Sequence, residues 1–356
     1  MSHNILITGG SGYLGGSLLA GLKDANLPPY STLYALVRTN AQAEAVRQYS
    51  ALPLRADLTS PSSITSTIVN NKITIIYHLF NALDQFTPPI FIAALAEVKK
   101  KTGQEVHFLF TTGANLFSEF AGAPTDAPLL DTDPHLYNIQ RSQITKAPIP
   151  FAATGVRANT LGIDEAEKHG VRSYIFAPCI VYGRCRGFGN KISIQTVAIV
   201  KAAKAVRRVY DLDAPARPVW PVCHVDDNTA LYVEILRAAL EGREIGHGKR
   251  GFYLASSGSM AWRDVYERMS KALERRGVVD GRGVGEGPLG DGVLGRMAEA
   301  VGGGEELVRM ALRVGDCECT FTPANGAKIG WKPKYPVEHI LEFADEEVDW
   351  ILENLE

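Results

Sequence analysis

Ile5-Leu6-Ile7-Thr8-Gly9-Gly10-Ser11-Gly12-Tyr13-Leu14-Gly15 is the stretch whose reading decides the fold. The apolar run Ile5 to Thr8 reads as a first β-strand, and the glycines after it as a tight turn into a helix. Their spacing, Gly9, Gly12 and Gly15, is GxxGxxG. Gly9 permits the turn, Gly12 lets the backbone approach a pyrophosphate, and Gly15 lets the helix pack close to the strand. The unpaired N–H groups at the helix start would hold the phosphates. Gly9, Ser11, Gly12, Tyr13, Leu14 and Gly15 are therefore candidate residues for binding a dinucleotide.

Outward from this stretch, apolar runs and helical segments alternate. Residues 5–8 read as a strand and 12–24 as a helix, followed by a strand at 33–37 that ends at Arg38. A short strand lies within 51–58. Residues 60–70 suit a helix with Pro61 in its first turn. Strands follow at 74–79 and 106–110, with a helix at 89–101 between them. Residues 118–153 are proline-rich and weakly patterned, and read as a long connection over the site. A helix at 157–169 stops at Gly170, and a strand at 171–176 runs into Pro178. Residues 192–209 read as an amphipathic helix, with Ala198, Val206 and Val209 inward and Lys201, Lys204 and Arg208 in solvent. Further helices are expected at 226–241 and 261–276. Residues 277–304, crowded with glycine, read as a flexible surface insertion, with helices near Met297 and Leu307. The β-α alternation predicts an α/β fold, a doubly wound parallel (Rossmann) sheet. Residues 1–180 would form its core, with strands from about 219–256. Residues 181–218 and 257–345 would form a smaller mixed α/β substrate-binding region.

The bulk properties narrow the function classes. The chain has 356 residues, 46% of them hydrophobic, enough for a large core, and a formal charge of -2. That balance gives no reason to expect nucleic acid or an anionic membrane as partner. Cys179, Cys185, Cys223, Cys317 and Cys319 have neither disulfide-framework nor metal-site spacing, which fits a reducing compartment. No basic segment followed by an apolar one marks a leader, and no run of 18 apolar residues marks a membrane span. The expectation is a cytoplasmic protein with a small-molecule substrate, no metal, and a monomeric or weakly dimeric state. The helix at 157–169 carries Asp164, Glu165, Glu167 and Lys168, so at least one of its faces is polar.

Six markers in order resemble the extended short-chain dehydrogenase/reductase family, which includes epimerases, dehydratases and reductases. They are the glycine run 8–15, Asp57-Leu58, His78-Leu79, Ala177-Pro178 with Val181-Tyr182-Gly183, His224-Val225-Asp226-Asp227, and Asn325 to Pro333 around Gly330-Trp331-Lys332-Pro333. The resemblance implies a nicotinamide dinucleotide. Asp57 would accept from the adenine amino group and Leu58 would line its pocket. Asn81 and Ala82 would border the ribose and nicotinamide, Thr111 would lie nearby, and Pro178 and Cys179 would pass close to the nicotinamide. Where a carboxylate would repel a 2'-phosphate, the chain has Arg38, whose donor fork suits one. NADP(H) is expected over NAD.

The catalytic pattern that the resemblance implies is broken. The family uses a Tyr as proton donor, a Lys four residues later, and a Ser or Thr after the fifth strand. That hydroxyl position falls on Gly113, with Thr112 or Thr111 as substitutes. Counting back from Pro178 puts the Tyr-Lys pair near Ala153 and Arg157, where no Tyr stands. Arg157 could hold the ribose but cannot shuttle a proton. Tyr137, with Arg141 four residues on, could reach in from the long connection, and Tyr182 is a further candidate acid. Thr112, Tyr137, Arg157 and Tyr182 are thus the candidate catalytic residues. Asp226 reads as a helix cap, His224 as part of the pocket wall, and His78 as a satisfied core histidine.

Three readings stay open. One is an NADP(H)-dependent oxidoreductase acting on a carbonyl or enone of a small, fairly apolar metabolite by a non-standard proton relay. A second is a redox-neutral isomerase, cyclase or lyase, and a third a catalytically inactive NADP(H)-binding regulator or scaffold. A nucleotide-sugar would need basic donors, for which Arg184, Arg186, Lys191 and Arg217 are candidates. Phe117, Phe120, Phe151, Phe188 and Trp220 favour an apolar substrate.

Overall fold

A computed structural model of the chain describes residues 2–212, 217–287, 289–290, 292–304, 308, 311–312 and 318–355. Strand β1 (Asn4–Ile7) leads through the glycine turn into α1 (Tyr13–Asp24), and β2 (Thr32–Leu36), α2 (Asn40–Ala45) and β3 (Leu52–Leu54) follow. The chain then returns with α3 (Pro61–Asn70), β4 (Ile75–His78), α4 (Thr87–Thr102) and β5 (His107–Thr111). Next come α5 (Leu136–Lys146), α6 (Pro150–His169) and β6 (Arg172–Pro178). These strands and β10 (Phe252–Ala255) form a seven-stranded sheet in the order β10-β6-β5-β4-β1-β2-β3. All its pairings are parallel. The winding direction reverses between β1 and β4, and such a switch point opens a crevice at the carboxyl ends of the strands. Here Thr8 accepts the Leu79 N–H on its hydroxyl at 3.0 Å and donates its own N–H to the Tyr77 carbonyl at 2.9 Å.

The central strands are apolar because helices cover both faces. Ile75, Ile76, Tyr77 and His78 are all buried, as are all five residues of β5. A second sheet, β11-β9-β7, is built from β7 (Ile180–Tyr182), β9 (Val219–His224) and β11 (Gly258–Ala261). Of the strands expected from 219–256, β10 therefore completes the main sheet and β9 lies in the second. Helices α7 (Gln195–Val206), α8 (Val225–Leu240) and α9 (Trp262–Arg275) and the C-terminal helix Ala344–Asn354 pack around it.

Three departures from the sequence reading bear on the site. The 118–153 connection contains α5, and the following helix begins at Pro150, seven residues earlier than expected. Helix α7 ends at Val206, where Arg207 takes a left-handed conformation (φ 58°). The glycine-crowded segment is docked where it is described. β12 (Gly285–Glu286) pairs with β8 (Tyr210–Asp211), and α10 (Val293–Val301) packs on α7 with Met297 buried. The helix expected near Leu307 lies outside the described residues, as does Cys317.

Candidate active site

The glycine turn has the geometry that its spacing called for. Gly9 sits at φ 69°, and a Cβ there would lie 2.9 Å from the Leu79 carbonyl group. A Cβ on Gly15 would lie 2.2 Å from the Gly9 oxygen, so only glycine lets α1 descend onto the turn. Gly12 is the N-cap of α1 and donates to the Gly9 oxygen at 2.9 Å. The N–H groups of the first turn then have no partner within the helix and present a positive end. A second glycine-rich segment seats this turn from outside. Gly187 and Gly189 pack against the backbones of Gly16 and Ser11, and the Asn190 N–H donates to the Ser11 oxygen at 2.9 Å. Tyr13 is locked to the same segment, its hydroxyl donating to the Gly183 carbonyl at 2.7 Å.

At the far end of the crevice, Arg38 is exposed and its N–H bonds to Gln42 Oε1 at 2.8 Å. Arg55, on the exit of β3, bonds to Asn40 Oδ1. Sequence reasoning did not single out Arg55, because a lone arginine after a short strand carries no signal until β3 is placed beside β2. Asp57 is exposed and holds Thr59 through Oδ1, which keeps its carboxyl below the usual range and leaves Oδ2 able to accept. Leu58 is half-buried beside it. Asn81 is exposed and turns its side chain to the Leu83 N–H at 3.0 Å.

A cavity of about 320 Å³ opens from the glycine turn. Tyr13, Leu14, Ala82, Leu83, Thr112, Gly113, Asn115, Leu116, Phe151, Pro178, Cys179, Gln195 and Trp220 are among its lining residues. Among the described residues, no Asp, Glu, Lys, Arg or His lines it. The Thr112 hydroxyl is buried with no hydrogen-bond partner. The mouth is apolar, with Phe151 43% and Ile194 71% exposed.

The expected catalytic residues do not converge there. Of the four, Thr112 alone lines the cavity. Thr111 points to the opposite face of β5, where its hydroxyl lies 2.9 Å from that of Tyr232. Tyr137 is buried between α5 and α6. Its hydroxyl donates to Asp164, which also pairs with Arg141 at 3.0 Å. Burial, and then the Asp164 charge, push the Tyr137 hydroxyl up to about 12, which unfits it as an acid here. Tyr182 is tied to His339 Nδ1 at 3.0 Å. Arg157 is exposed and absent from the lining. The residue of α6 that lines the pocket is instead Phe151, and Gly155 lies behind two lining side chains. A Cβ on Gly155 would lie 2.5 Å from Leu116 and 3.1 Å from Leu83, both lining residues. Arg157 is two residues further on, about 200° around a helix of 3.6 residues per turn. Phe151 is thus what α6 contributes to the cavity wall, and Arg157 turns away from it.

Other candidates resolve into structural roles. His224, not Asp226, caps α8, accepting the Asp226 N–H on Nδ1 at 3.2 Å. His78 is fully buried, 3.1 Å from Thr87 and 3.3 Å from Asp84, and burial lowers its pKa. Phe117 packs on Phe252 and Phe321, and Phe188 on Tyr49, away from the cavity. Ser118 is buried, donating to the Asn115 carbonyl at 2.8 Å. The basic candidates are engaged elsewhere: Arg184 over Trp350, Arg186 with Asp24, Lys191 with the Gly187 carbonyl, and Arg217 with Asp264.

A doubly wound sheet with a glycine turn at its switch point defines a dinucleotide-binding α/β protein. Residues 5–248 match the NAD dependent epimerase/dehydratase family, and the chain belongs to it. No curated protein matches the chain in sequence. Similar solved structures include a UDP-glucose 4-epimerase with UDP-glucose from Thermotoga maritima, at 16% identity and TM-score 0.62, covering 99% of this chain and 100% of that one. A dTDP-glucose 4,6-dehydratase in complex with NAD from Bacillus anthracis is 12% identical, at TM-score 0.63, covering 99% and 97%. Vestitone reductase from alfalfa is 17% identical, at TM-score 0.55, covering 97% and 98%. At these identities the likeness shows the fold.

Proposed function

We propose that the protein is an NADP(H)-dependent reductase acting on a carbonyl or enone of a small, uncharged, largely apolar metabolite. The observation that carries this reading is the charge-free cavity, with the buried, unpartnered Thr112 hydroxyl in its wall, opening from the glycine turn. The residues present fit the dinucleotide. The first turn of α1 would hold its pyrophosphate, Asp57 and Leu58 its adenine, and Arg38 with Arg55 a 2'-phosphate. Bound there, the reduced nicotinamide would supply a hydride.

The protein's own part is to bind and orient the acceptor. Hydride addition leaves negative charge on the substrate oxygen, and Thr112 is the donor that supports this charge. Its hydroxyl gives up no existing hydrogen bond in doing so, and a donor already in place is the efficient way to stabilise developing charge. An enone fits better than a simple ketone. Its enolate needs a hydrogen-bond donor, and solvent at the open mouth can protonate carbon. A ketone's alkoxide needs an acid that Phe151 does not provide. An ionised substrate would lose hydration without a counter-charge, which disfavours a nucleotide-sugar.

The absence of any Tyr-x-x-x-Lys from residues 130–160 also favours a second reading, a redox-neutral isomerase, cyclase or lyase in which the dinucleotide is structural. Nicotinamide fluorescence on titration with NADPH and NADH, in wild type and Arg38→Glu, tests the cofactor site. Oxidation of bound NADPH by ketone and enone panels tests the reaction. Tight NADPH binding that Arg38→Glu weakens at least tenfold, with turnover on enones, is the expected result. Tight binding with no oxidation by any acceptor rejects the reductase and leaves the redox-neutral or inactive reading. No binding of either nucleotide rejects the dinucleotide site itself.

A further inference from the structure

We infer that the substrate carries a neutral hydroxyl besides its reacting carbonyl, and that the carboxamides of Asn115 and Gln195 recognise it. This rests on the reading of the cavity as the substrate site. Several polar side chains in the lining are already engaged. Tyr13 donates to the Gly183 carbonyl at 2.7 Å, and Ser193 lies 2.5 Å from Thr196 Oγ1. Cys179 has a weak contact to the Ile180 carbonyl at 3.8 Å, and burial pushes its thiol pKa well up. With Thr112 assigned to the reacting oxygen, the Asn115 and Gln195 side chains remain, each without a hydrogen-bond partner among the described residues.

Both carboxamides stand on backbone that is held in place. The Asn115 carbonyl accepts from Ser118 at 2.8 Å, and the next carbonyl, Leu116, accepts from Gln140 at 2.8 Å and Gln143 at 3.1 Å. Gln195 opens α7. Its neighbour Thr196 donates to Glu347 Oε1 at 2.8 Å, and the other oxygen of Glu347 accepts the Gly183 N–H at 2.9 Å. Helix α7 is thereby clamped to the C-terminal helix in its first turn. Side chains mounted on fixed backbone lose less freedom when a ligand arrives, and so discriminate more sharply. A carboxamide offers a donor and an acceptor together, which matches a hydroxyl, itself both. It offers no charge, and the cavity supplies none, so a carboxylate or ammonium in its place would be buried without compensation. A wholly apolar ligand would leave two amides desolvated and unpaired, which weakens its binding.

The test pairs hydroxy-ketones and hydroxy-enones with their deoxy counterparts. Binding is read by calorimetry with the oxidised dinucleotide present, so that no turnover occurs, and kcat/KM is read with NADPH. The hydroxy member of a pair should bind roughly 10- to 100-fold tighter to wild type. Asn115→Leu and Gln195→Leu should each reduce that ratio to within about threefold of unity. If the ratio collapses in the variants but no compound oxidises NADPH, the reductase reading fails and the hydroxyl site stands. A wild-type ratio near unity, or one that both variants preserve, overturns the inference, as does failure of every compound to bind. A wild-type ratio near unity overturns the inference without any variant, so a variant that folds poorly does not blunt the test.

Discussion

Thr111 and Thr112 are adjacent and chemically identical, yet Thr111, the last residue of β5, turns its hydroxyl to Tyr232, and Thr112, just beyond the strand, lines the cavity. Thr112→Val should lower kcat/KM about 100-fold, mostly in kcat, and leave NADPH affinity within about twofold. Thr111→Val should leave kcat/KM unchanged and cost about 1 kcal/mol in urea unfolding, the worth of one buried hydrogen bond. Equal effects of the two on turnover would refute the assignment. The strand alternation was legible in principle, but it needed the strand's end fixed to one residue. The loss of a Tyr-Lys pair was legible outright, because no Tyr-x-x-x-Lys occurs in the region. Which residues replaced it was not. A count from Pro178 led to Ala153 and Arg157, but Phe151 is the α6 residue that lines the cavity, and on a helix two residues reverse the face.

Helix α5 escaped the sequence reading because it has no apolar stripe. Its buried face includes Gln140 and Gln143, whose amides bond the Leu116 and Ala121 carbonyls, and Asn159 of α6 bonds Gln140 at 2.9 Å. A polar buried face is invisible to a search for apolar periodicity. It also carries weight, since Leu116 lines the cavity. Gln143→Leu would strip donors from two carbonyls and should destabilise by about 2–5 kcal/mol in urea unfolding, far more than an exposed Gln. The glycine turn is the opposite case, read correctly from spacing alone. Gly15→Ala would drive a methyl into the Gly9 oxygen and should abolish NADPH binding, with Tm lowered by several degrees. The outer contact was not legible, because Gly189 meets Ser11 across a separation of nearly half the chain. Gly189→Ala, 2.1 Å from the Ser11 oxygen, should weaken NADPH binding at least tenfold although this residue is assigned no contact with the nucleotide. An unchanged affinity would show that the turn holds its shape without that support.

Stability of the whole molecule should carry two opposed pH signatures from groups buried far from the cavity. Asp131 is buried beneath the Asn325 turn, accepting the Asn325 N–H at 2.7 Å and the Leu254 N–H at 3.2 Å. Burial outweighs these bonds and raises its pKa to about 7. The unfolded chain gives up this proton near the ordinary carboxylate pKa, so the contribution of Asp131 is full below that value and is lost as pH rises to about 7. Relative to wild type, Asp131→Asn should therefore gain stability from pH 4.5 to 7 by roughly 3 kcal/mol, and then level off. His107 has the opposite sign. Burial lowers its pKa to about 3, so its contribution is present above the unfolded value and is lost as pH falls from about 6.5. Urea unfolding of wild type, Asp131→Asn and His107→Gln across this range checks both. A difference that does not vary with pH would refute the corresponding shift.

The sequence by itself determined the sheet, its winding and the position of the dinucleotide turn. Those rest on local patterns: an apolar run long enough for a strand, its alternation with helical segments, and three glycines at a fixed spacing. It also determined that the usual proton donor is absent. The tertiary structure decided what stands in its place and what the cavity contains. Phe151, Leu83, Asn115, Gln195 and Trp220 come from segments scattered over more than a hundred residues, and no periodicity links them. The charge-free lining likewise emerged when Arg184, Arg186, Lys191 and Arg217 each found a partner elsewhere. Backbone conformation is specified by neighbours along the chain, whereas the chemistry of a pocket is specified by neighbours in space.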